Sequence, residues 1–128
     1  MTVPPSLRGQ WWLTAVVFTL AAVGVCAAAT VRFGAAAAGM WGLAAAVPLG
    51  YALWLLRRSL ALNSPPTGSL RADGGRSVYA TLGLANGLTL TRGWLYAAVG
   101  GFLLVIPPVD SGWRVLPALW YGTGAALD

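Results

Sequence analysis

The sequence predicts an all-α, polytopic membrane protein of about four transmembrane helices plus a short amphipathic interfacial helix. Two observations carry this. Of 128 residues, 58% are hydrophobic and only 9% are charged, and the mean hydropathy is +0.72. An average soluble domain is about 25% charged. So few charges cannot cover a surface in water, and much of this surface therefore faces lipid. The apolar residues also come in long runs, and about 20 of them cross a hydrocarbon core about 30 Å thick. A strand barrel would instead alternate apolar and polar residues over segments of about ten.

The first run spans Trp11 to Val31, interrupted by nothing more polar than Thr14, Thr19 and Thr30. Arg8 ahead of it and Ala27-Ala28-Ala29 inside it also fit a secretory signal peptide. The run is long for a signal core and a second follows at once, which favours a span. The second run covers Ala35 to Leu56 and contains Pro48, which is tolerated in membrane helices. Arg32-Phe33-Gly34 is a tight connection, so residues 1–56 read as a transmembrane hairpin. Its alanines and glycines permit close helix contact, and Cys26 and Met40 read as packing residues.

Residues 57–78 read as a cytoplasmic linker. This segment holds Arg57, Arg58, Arg71 and Arg76 against Asp73, with Asn63 to Gly68 and Gly74-Gly75 as helix breakers. Gly74-Gly75 is a simple turn rather than a phosphate-binding loop, since no strand precedes it and no Gly-Lys-Ser/Thr follows. The run from Tyr79 to Ile106 comes next. Its first part, through Arg92, mixes polar and apolar residues, and Trp94 to Ile106 is apolar until Pro107-Pro108 stops it. A turn holding Asp110 leads to Trp113-Arg114 and a last run, Val115 to Asp128.

The net charge of +5 comes entirely from arginine, and lysine, glutamate and histidine are absent. The arginines flank apolar segments, which suits membrane topology and lipid headgroups and excludes a nucleic-acid face. One cysteine and no histidine rule out an intrachain disulfide and a zinc site of the usual ligand types. The arginines place the N-terminus and the 57–92 segment in the cytoplasm, with the chain in the plasma membrane, expected to be bacterial. Trp11, Trp12, Trp54, Trp94 and Trp113 fall near the predicted helix ends, as an interfacial aromatic belt requires.

At 3.6 residues per turn, Asn86, Thr89, Arg92 and Gly93 fall on one helix face, with Leu84, Leu88, Thr91 and Leu95 opposite. That pattern suits a helix at the cytoplasmic membrane surface. A plainer reading has Asn86 capping the helix and Arg92 reaching for phosphates. Asp128 lies fourteen residues after Arg114, about 21 Å along a helix, and so on the same side of the membrane as Asn86 and Arg92. A carboxylate at such depth is costly and usually has a role, unless it is simply the frayed last residue.

Asn86-Gly87-Leu88-Thr89-Leu90-Thr91-Arg92, followed by a short apolar helix, resembles the start of the CDP-alcohol phosphatidyltransferases, which commonly open with an Asn-x-x-Thr-x-x-Arg surface helix. The segment from Pro117 to Asp128 resembles the family's second core helix, which runs into the first aspartate of the motif D-x-x-D-G-x-x-A-R-x8-G-x3-D-x3-D. The resemblance covers residues 79–128, as a partial core, and leaves the hairpin outside as an N-terminal extension.

The resemblance implies a function in phospholipid biosynthesis. Such enzymes transfer the phosphoalcohol group of a CDP-linked lipid or alcohol to an acceptor hydroxyl and release CMP. They use magnesium or manganese held by the motif aspartates, and often as homodimers. Asp128 would be the first metal ligand, and Asn86, Thr89 and Arg92 would line the nucleotide and phosphate side. Only the first motif aspartate is present, so the 128-residue chain is expected to be an inactive fragment of the enzyme. The rival readings are a small non-catalytic helical membrane protein, such as an assembly or transporter accessory subunit, and a transporter fragment.

Overall fold

The computed structural model describes residues 3–62 and 81–127, and the described residues contain helices and turns but no strand. Helix α1 spans Pro5–Phe33 and α2 spans Ala35–Ser59, continued by a single 3₁₀ turn at Leu60–Leu62. Helix α3 spans Gly83–Gly101. After a turn through Pro107-Pro108, a 3₁₀ turn at Gly112–Val115 leads into α4, Leu116–Ala126. Gly74-Gly75 and Asp73, with most of the linker over residues 57–78, lie outside the described residues.

Each boundary has a local cause. Pro4 and Pro5 open α1, where a proline's missing N–H would have had no partner anyway. One residue, Gly34, separates α1 from α2. Its φ of 88° and ψ of 162° lie in a region essentially reserved for glycine. Its N–H donates to the Thr30 carbonyl at 3.0 Å, and its own carbonyl accepts from Ala38 N–H at 3.1 Å. Pro48 sits inside α2 without ending it. Ser111 caps the turn before α4, its hydroxyl accepting from Trp113 N–H at 3.3 Å.

The helices run up and down. Helix α2 packs against both α1 and α3, and α4 packs against α3. One end of the molecule gathers Arg8, Arg57 and the start of α3. The other gathers Gly34, the end of α3 and the start of α4, where Phe33 meets Trp113 edge-on at 5.1 Å. The core sits between α2, α3 and α4. Trp41 is 2% exposed and touches Phe102 at 6.0 Å and Trp120 at 6.4 Å between ring centroids. Close approach there relies on glycine, since a Cβ at Gly101 would strike the Trp41 ring. Gly42 likewise lets α2 approach Cys26 of α1.

Helices α1 and α2 are long and apolar enough to cross a membrane, at about 43 and 37 Å. Only 6% of the apolar stretch of α1 and 17% of that of α2 is buried inside the protein. The core helix of a soluble protein would be mostly buried, so these outward faces point to membrane association. Leu13, Val17, Leu20 and Leu43 are all exposed.

Four local expectations change. The surface helix and the following span are one continuous helix, α3, because nothing between Arg92 and Trp94 breaks it. That helix ends at Gly101 rather than Ile106. The glycine pair at its end favours helix least, and Ile106 precedes a proline and is pushed towards extended backbone. Trp94 lies inside the helix pack rather than at an end. Its indole donates to the Phe18 carbonyl at 3.0 Å, and its ring meets Trp120 at 5.9 Å. Met40, read as a packing residue, points outward and is 48% exposed, whereas Cys26 does pack.

Candidate functional site

The candidate site is a face of α3. Asn86, Thr89 and Arg92 follow one another at three-residue spacing within the helix. Asn86 is the fourth residue of α3 rather than its cap, and its side-chain amide donates to the Leu82 carbonyl one turn back. Thr89 is exposed, and its hydroxyl donates to the Ala85 carbonyl at 3.0 Å. Short polar side chains within a helix commonly bond the backbone carbonyl one turn back in this way. Arg92 is half-buried, and it is the only cation of α3.

The same face meets α4. Tyr96 lies one turn beyond Arg92, and residues four apart share a face. Tyr96 stacks on Tyr121 of α4 at 5.7 Å, and its ring rests against Gly124, where a Cβ would collide with it. Helix α4 runs antiparallel to α3, since Trp120 lies against Phe102 while Gly124 lies against Tyr96. Its C-terminal end is therefore directed along this face towards Arg92. Asp128, the predicted metal ligand, lies outside the described residues.

The opposite side of α3 departs from the even aliphatic face that periodicity suggests. Leu95 is buried but Leu84 is 82% exposed. Thr91 turns towards α1 and donates to the Gly87 carbonyl at 2.9 Å. It lines a groove of about 480 Å³ between α1 and α3, which also includes Gln10, Thr14, Phe18 and Leu90. Gln10 is the residue that sequence reasoning missed. Its side-chain carbonyl accepts the Leu82 N–H at 2.8 Å, tying α1 to the start of α3. The available signal was its position, as the sole glutamine of the chain, next to the first apolar run.

A divalent cation needs several oxygen ligands. Among the described residues no three His, Cys, Asp or Glu side chains come together, and Asp110 sits at the far end, between α3 and α4. The described residues do not by themselves fit magnesium or manganese. What the face offers is a guanidinium, a hydroxyl and an amide aligned along one helix, a set of groups suited to phosphate and polar headgroup recognition.

No protein-family model, curated protein or solved structure matches this chain.

Proposed function

We propose that this chain is the N-terminal, membrane-embedded part of a CDP-alcohol phosphatidyltransferase. It has four spans, with the N-terminus, the linker and the start of α3 on the cytoplasmic side. The observation that carries this reading is the shared face of α3. Asn86, Thr89 and Arg92 continue the stripe on which Tyr96 receives Gly124 of α4, so the C-terminal end of α4 is directed towards the polar residues. Arg8, Arg57 and Arg58 gather at the end where α3 begins, which supports the same side for all of them.

In this reading Arg92 presents its planar fork to the pyrophosphate of the CDP-linked substrate, and Thr89 and Asn86 exchange their backbone bonds for bonds to the nucleotide. The reaction breaks the bond between the transferred phosphorus and CMP and forms one to the acceptor oxygen. The acceptor's proton leaves to a base that the described residues do not contain. Asp128 and the carboxylates that follow it in the family would hold the divalent cation, which would neutralise charge on the pyrophosphate.

The test is to read the coding sequence past codon 128 and to assay the full-length product for magnesium-dependent CMP release. Three further motif aspartates and CMP release are expected. Arg92→Ala should then lower kcat/KM for the CDP-linked substrate about 10- to 100-fold, as loss of hydrogen bonds to a charged group does. A stop codon after Asp128, with no CMP released by membranes containing the chain, would leave the small non-catalytic helical membrane protein as the answer.

A further inference from the structure

The basic end of the α1–α2 hairpin supports the orientation proposed above but has no role in the transfer chemistry. A cleft of about 450 Å³ opens there, walled by Arg8, Trp11, Trp12 and Arg57 with Val3 and Leu60. A second, of about 360 Å³, is bounded by Trp54, Arg57 and Arg58, so Arg57 walls both. The arrangement is held from within. The Trp11 indole donates to the Leu53 carbonyl at 3.0 Å, which fixes its ring across the hairpin. The Arg57 guanidinium lies over that ring at 5.3 Å, and Arg58 lies over Trp54 at 5.5 Å. Stacking orients a guanidinium by its face and leaves its N–H edge directed at an acceptor.

Charge at this end is one-sided among the described residues. Asp110 is the one acidic side chain they include, and it lies at the opposite end of the bundle. The dipoles of the two antiparallel helices meet here with opposite signs and offset, so the arginines set the potential. Arg8 precedes the first apolar span, and Arg57 and Arg58 follow the second, which puts all three where hydrocarbon gives way to headgroups. Trp11 and Trp12 supply the amphipathic rings that settle at that depth.

We propose that this cleft binds the phosphate of an anionic phospholipid headgroup, with Arg8 and Arg57 as donors and Trp11 and Trp12 beside the lipid backbone. The site belongs to the N-terminal hairpin. It rests on the membrane reading and is independent of any transferase activity.

The experiment uses the full chain in mild detergent, titrated with phosphatidylglycerol or with phosphatidylcholine of the same acyl chains, and counts bound lipid by native mass spectrometry. Phosphatidylglycerol should bind more tightly than phosphatidylcholine. The R8Q/R57Q pair should weaken it about 30-fold, at about fivefold per arginine near the membrane surface. R32Q/R114Q, which removes the same charge from the opposite end, should change affinity less than twofold. Should the first pair fail to fold, the single variants R8Q and R57Q carry the test at about fivefold each. Equal binding of the two lipids, or an equal loss from R32Q/R114Q, would overturn the proposal. Displacement of the lipid by equimolar inorganic phosphate would overturn it in favour of a free-anion site.

Discussion

Placing a methyl group on Gly101 tests how the helices are held together. A Cβ there would lie closer than 3 Å to three atoms of the Trp41 ring, including Nε1. The ring cannot retreat, being 2% exposed and wedged against Phe102 and Trp120. Overpacking of this kind costs about 1–3 kcal/mol. Alanine's advantage over glycine within a helix offsets about 0.5–1 kcal/mol of that. Gly101→Ala should therefore destabilise by about 1 kcal/mol and by no more than about 2.5 kcal/mol, the central value being about 4 °C in Tm for a domain of this size.

The neighbouring residue is the control. A Cβ at Gly100 meets nothing within 4 Å, so Gly100→Ala should be neutral or stabilise by up to about 0.5 kcal/mol. Thermal unfolding in detergent micelles, followed by near-ultraviolet circular dichroism, reads both. Replacing Trp41 with leucine in the Gly101→Ala background should recover part of the loss, giving a coupling of at least about 1 kcal/mol. If Gly101→Ala melts at or above the parent, the packing of α2 against α3 is not as described and the reasoning fails.

Other substitutions test the connections between elements. Gly34→Ala puts a side chain at φ 88° and should cost about 1–3 kcal/mol; an unchanged Tm would mean that the α1–α2 turn has another geometry. Trp94→Phe keeps the ring but loses the bond to the Phe18 carbonyl; a loss of about 0.5–1.5 kcal/mol is expected from the same melting assay. Gln10→Ala removes the acceptor of the Leu82 N–H and should speed hydrogen exchange at that amide, read by mass spectrometry, while amides in the middle of α2 keep their protection.

The helical class, the two long apolar helices and the turn at Gly34 were legible in the sequence by itself. Partition between water and lipid acts on each short window of chain, and 58% hydrophobic residues with 9% charged leave little choice of solvent. A glycine between two apolar runs marks the turn because only glycine readily accepts that backbone. The spacing of Asn86, Thr89 and Arg92 was legible too, since helical period alone aligns them. What the tertiary structure decided depends on residues far apart in the chain. Trp94 read as a belt residue from its place beside Arg92, yet it packs inside because Phe18 and Trp120 arrive from other helices. Gln10 and Leu82 are separated by 72 positions and still share a hydrogen bond. Gly101 matters because Trp41 occupies the space where its side chain would be. Tyr96 and Gly124 decide which face of α3 receives α4, and so bring the end of α4 towards Arg92. Local composition sets the solvent and the helical period, but the encounter of one side chain with another waits for the chain to fold back on itself.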